Sequence, residues 1–87
     1  MNINIVIRQQ NANIVRFLYS SDDIDINDTD RMGEVLLNVQ NKTAEILKMS
    51  QGESENWKNF PLRACGKILA KLDAGEGVPE KWKVRSH

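Results

Sequence analysis

Ile3, Ile5 and Ile7 recur at period two near the start of the chain, and this constrains the fold most. Alternating β-branched residues predict a strand with one buried face over residues 2–8. A polar stretch follows at 9–13, where Asn11 and Asn13 tolerate the left-handed conformations of turns. Residues 13–20 then return to β-branched and aromatic side chains, Ile14, Val15, Phe17 and Tyr19 among them. The two segments predict an N-terminal β-hairpin. A single helix competes, since Ile3, Ile7, Ile14, Phe17 and Leu18 also share a helical stripe, but asparagines and β-branched residues are mediocre helix formers.

Between residues 21 and 30 lie Asp22, Asp23, Asp25, Asp28 and Asp30, with no cation among them. Their mutual repulsion predicts a loop, pinned by Ile24 and Ile26, with Asp28, Thr29 or Asp30 placed to cap a following helix. Over about 30–50, Met32, Val35, Leu36, Val39, Thr43, Ile46 and Leu47 fall on one helical face, which predicts an amphipathic helix. Leu37 is the outlier, and Gly33, Asn38 and Asn41 are poor helix residues. A second hairpin over 34–49, turning at Asn41-Lys42, is the alternative. Pro61 suits the first turn of another helix. Leu62, Cys65, Ile68, Leu69 and Leu72 continue that helix to about 74, where Gly75 or Gly77 ends it and Pro79 forbids its extension.

The expected architecture is α+β in a single small domain spanning 1–87. It comprises the hairpin, the acidic loop, two amphipathic helices packed on one sheet face, and an extended basic tail over 80–87. An all-α chain is a further alternative. A two-stranded sheet is marginal alone, so a third strand, from residues 23–27 or the tail, or a homodimer through the strand edge, is expected.

Composition narrows function more than it identifies it. Twelve basic side chains balance twelve acidic ones in 87 residues, which excludes a polycation gripping nucleic acid by bulk charge. Hydrophobic residues make up 40% of the chain, against disorder. The longest apolar run is Ile5-Val6-Ile7, too short to cross a membrane as a helix. No apolar signal core opens the chain, so a cytoplasmic protein is expected.

Two patches stand out. From residue 56 onward seven cations (Lys58, Arg63, Lys67, Lys71, Lys81, Lys83, Arg85) face Asp73, Glu76 and Glu80, a net of +4 against −4 for the rest. Trp57-Lys58 and Trp82-Lys83 lie here. Aromatic residues beside cations anchor protein interfaces and also stack nucleobases. Arg63, Lys67 and Lys71, four apart, would form a basic helical stripe. The second patch is the acidic loop. Asp23, Asp25, Asn27 and Glu34 match positions 1, 3, 5 and 12 of an EF-hand calcium loop, yet Asp28 stands where that loop needs glycine and Asp30 where an apolar residue is usual. Asp22 completes this acidic surface.

Catalytic chemistry has little to draw on. Cys65 falls on the apolar helix face with no histidine nearby in sequence, and the only histidine, His87, is the last residue. No catalytic residue, metal ligand set or cofactor is therefore expected. The leading expectation is a non-enzymatic protein-binding module, an adaptor, inhibitor or regulatory subunit, docking on a larger protein through a charge-polarised surface. A small nucleic-acid-binding protein using Trp57, Trp82 and the basic stripe is the alternative, and a calcium-binding loop the third.

Overall fold

The computed structural model describes residues 2–51 and 59–85. Five strands, β1 (Asn2–Gln10), β2 (Ile14–Ser21), β3 (Gly33–Asn38), β4 (Thr43–Lys48) and β5 (Lys81–Arg85), form one antiparallel sheet in the order β4-β3-β2-β1-β5. Among the described residues a single α-helix, α1 (Asn59–Asp73), stands in the chain between the two edge strands β4 and β5.

The N-terminal hairpin forms as its pattern requires. Ile3 pairs with Ser21, Ile5 with Tyr19 and Ile7 with Phe17, which puts the alternating apolar set of both strands on one face. A bulge at Arg8 shifts the register before the turn, where the Asn11 Oδ1 accepts from the Asn13 and Ile14 amides. The tail adds the last strand: β5 pairs with β1 through Ile3–Val84 and Ile5–Trp82.

The helix expected over 30–50 does not exist. Only a three-residue 3-10 turn, Thr29–Arg31, precedes β3, and β3 and β4 form a second hairpin, the alternative drawn for 34–49. The all-α alternative fails with it. Leu37, the residue that fitted the helical stripe worst, is 1% exposed, because Val35 and Leu37 both face the core beneath α1. In the turn, Asn38 Oδ1 accepts from the Asn41 amide, and Lys42 takes a φ of 55°. The Val39 amide donates to the Asn13 carbonyl at 2.8 Å, tying this turn to that of the first hairpin.

The second predicted helix is real. Phe60, Ala64, Cys65 and Ile68 pack on Ile3, Ile5, Val15, Phe17, Tyr19, Val35, Leu37 and Val84. Leu62, expected on that buried face, points out and is 60% exposed. At the C-terminus the Glu76 amide donates to the Lys71 carbonyl and the Gly75 amide to that of Leu72, with Gly75 at a φ of 76°. This is a Schellman cap, and it needs a residue tolerant of left-handed backbone.

The opposite face of the sheet is closed by the acidic loop. Ile24 and Met32 cover Val6 and Leu18, with Ile26 packed alongside. Asn4, fully buried on β1, fastens the loop. Its Nδ2 donates to the Ile24 carbonyl at 2.7 Å and lies 3.3 Å from the Ser21 carbonyl and from Ser20 Oγ. Because loop and helix cover opposite faces, what the described residues leave open is the two sheet edges and the outer side of α1.

Candidate functional site

The basic set does not converge on one surface. Arg63, Lys67 and Lys71 stand on α1, on the helix side of the sheet. Trp82 points to that same side and packs against the core, with the Lys71 ammonium 5.1 Å from its ring centroid and 3.3 Å from Glu76 Oε2. Lys83 and Arg85 alternate with Trp82 and Val84 along β5, so they project from the other face. Trp57 and Lys58 lie outside the described residues.

That other face is where the acidic loop sits. Lys81 Nζ donates to Asn27 Oδ1 at 2.6 Å, which brings the head of the basic strand against the loop. Lys48 Nζ donates to the Asp30 carbonyl and Arg31 pairs with Asp28 at 3.7 Å. Cations therefore border the aspartates, and the two sequence-level charge clusters meet along β5 instead of forming separated poles.

The calcium-type spacing is not assembled either. Asp22, Asp23 and Asp25 are exposed, and Asp25 Oδ1 accepts from the Asn27 amide in a local turn. Glu34, the would-be closing ligand, lies on β3, where its carboxylate is 3.2 Å from Arg16 Nε across the strands. Among the described residues no group of three or more His, Cys, Asp or Glu side chains is placed to hold a metal ion.

Cys65 is buried, and desolvation pushes its thiol up from an ordinary value near 9.0 to about 11. It is a protonated core side chain at neutral pH. A cleft of about 550 Å³ opens between Leu72, Val39 and the Gln10–Ala12 turn, but no titratable side chain lines it. No described helix is long and apolar enough to cross a membrane.

The surface that sequence reasoning missed is the outer edge of β4. Every residue of this strand is exposed, and no described strand pairs with its outer side. Ile46, Leu47 and Met49 are 46%, 48% and 46% exposed, three of the four large apolar side chains left open among the described residues. The signal in the sequence is the run Ile46-Leu47-Lys48-Met49, of which Ile46 and Leu47 also fit the helical stripe over 30–50. β5, the opposite edge, carries Lys81, Lys83 and Arg85 in five residues, the usual guard against pairing with another chain.

The chain matches no protein-family model, no curated protein and no solved structure at a significant level.

Proposed function

We propose that this chain is a non-enzymatic protein-binding module that receives an extended segment of a partner polypeptide along β4. The observation that carries the reading is the contrast between the two edges. β5 presents alternating cations, whereas β4 and the residue after it present Ile46, Leu47 and Met49 along an edge whose outer side no described strand pairs. Strand addition draws affinity from main-chain hydrogen bonds and specificity from alternate side chains. An edge with aliphatic residues at its middle supplies both.

A charge-polarised docking surface is less well supported, because Lys81 already engages the acidic loop and Lys71 engages Trp82 and Glu76. A photo-crosslinking side chain in place of Leu47, compared with one in place of Arg63 on α1, tests the assignment in the source cell. Specific protein adducts from position 47 and none from position 63 are expected. Adducts from position 63 alone would move the docking surface to the helix.

A further inference from the structure

We propose that the partner strand is β4 of a second copy, joined antiparallel about a two-fold axis that passes between Ile46 and Leu47 and producing a continuous ten-stranded sheet. This rests on the edge reading above and gives it an occupant.

The argument starts from the bulge. Within the sheet, Glu45 pairs with Leu36 and Lys48 pairs with Glu34, while Ile46 pairs with Val35 and Leu47 is the extra residue. Leu36 and Glu34 are two apart on β3 and share a face. Glu45 and Lys48, three apart on a regular strand, would point to opposite faces; the inserted residue puts them on the same one. Laid antiparallel against itself about that axis, β4 places Glu45 of each copy opposite Lys48 of the other. Both opposite-charge pairs then form on one face, and Ile46 meets Leu47 twice at the centre.

The ionic groups suit this use. The Glu45 carboxylate has no hydrogen-bond or ion-pair partner among the described residues, and the Lys48 ammonium spends one of its three donors on the Asp30 carbonyl. The interface is isologous, so it closes at two copies.

The other edge cannot do the same. Any antiparallel self-pairing of β5 that keeps faces together sets Lys81, Lys83 and Arg85 against one another, which is destabilising. A bulge with a lysine is also a device for keeping edges apart. At β4, however, that device would leave Ile46, Leu47 and Met49 in water for no gain.

Sedimentation equilibrium of the full chain over a concentration series is the test, with Glu45→Lys, Lys48→Glu, their equimolar mixture and the double variant. Wild type should dimerise reversibly. Each single variant should lose at least tenfold in association, since like charges then face each other twice. The mixture should form a heterodimer with both pairs restored, and the double variant should recover self-association. A wild type that stays monomeric at millimolar concentration overturns the proposal. So does a dimer indifferent to both single variants, or assembly that continues past two copies, which would set β4 against β5. Should Lys48→Glu unfold, through its repulsion with Glu34, Glu45→Lys alone against wild type carries the decision. The two readings fail separately. A monomeric wild type whose position-47 crosslinker captures a different protein sinks self-pairing and leaves the edge reading intact. A dimer whose position-47 adducts are the chain's own β4 supports both.

Discussion

At the scale of single residues, three positions are under tension with ordinary preference. Gly33 opens β3 directly against Tyr19. A Cβ there would lie 2.6 Å from Tyr19 Cζ and 2.7 Å from the Lys48 carbonyl oxygen, and the Tyr19 ring is wholly buried. Gly33→Ala should therefore cost about 1–3 kcal/mol, the range for overpacking, visible as a lowered urea midpoint. Lys42 holds positive φ without being glycine. Lys42→Gly should stabilise by up to about 1 kcal/mol, because left-handed backbone costs a side-chain-bearing residue about that much; a fall in melting temperature would show that Lys42 contributes something its backbone does not reveal. Cys65 has a thiol raised to about 11 by burial. A raised folded value means that the proton stabilises the native state below the unfolded value and that this stability drains away as pH climbs from about 9 toward 11. The wild-type melting temperature should fall across that window more steeply than that of Cys65→Ala, and native-state alkylation at pH 8 should be slow.

At the scale of elements, the loop over 21–32 behaves as a second layer of the domain. Its anchors are Ile24 and Met32 in the apolar contact and the Asn4 amide on the Ile24 carbonyl. Asn4→Ala strips a buried carbonyl of its donor, a loss of about 1–3 kcal/mol. Amide exchange should accelerate in residues 21–28 ahead of β1 and β2; uniform acceleration would mean that loop and sheet open together. The strand β5 matters for a different reason. It is the last element in the chain, yet it covers the edge of β1, and its Val84 enters the main core beside Ile3. Removing residues 79–87 should lower the melting temperature by at least about 10 °C, given that 1 kcal/mol moves a domain of this size by roughly 4–8 °C and that burying a valine is worth about 1.5–3 kcal/mol.

At the scale of the whole molecule, helix on one face and loop on the other leave the two sheet edges and the outer side of α1 uncovered by the described residues. A domain this small buries a limited share of its surface, so joining two sheets into one would raise stability with protein concentration. The melting temperature should climb over a hundredfold concentration range for wild type and stay flat for Glu45→Lys. Added salt should have a small effect on the monomer, whose ion pairs Arg16–Glu34, Arg31–Asp28 and Lys71–Glu76 are partly or fully exposed.

The sequence by itself determined what depends on neighbours along the chain. Period-two isoleucines set the first hairpin, crowded aspartates set a loop, and Pro61 in the first turn and Gly75 past the end marked α1. Tertiary structure decided the rest. Val35, Leu36 and Leu37 lie on an interior strand, where pairing with β2 and the packing of Val35 and Leu37 beneath α1 outweigh the helical spacing that Val35 and Leu36 share with Ile46 and Leu47. Period 3.6 and a nearly continuous apolar strand are hard to tell apart over so short a stretch. The same residues fit a helix over 30–50 and a hairpin over 34–49, and only the hairpin gives the sheet an edge strand at β4. Nor could spacing reveal that the late cations divide between two faces, because that follows from β5 docking on β1, where Arg85 pairs with Asn2 across eighty-three positions of chain. Local propensity acts through the chain, whereas an edge exists only after every strand has chosen its neighbours.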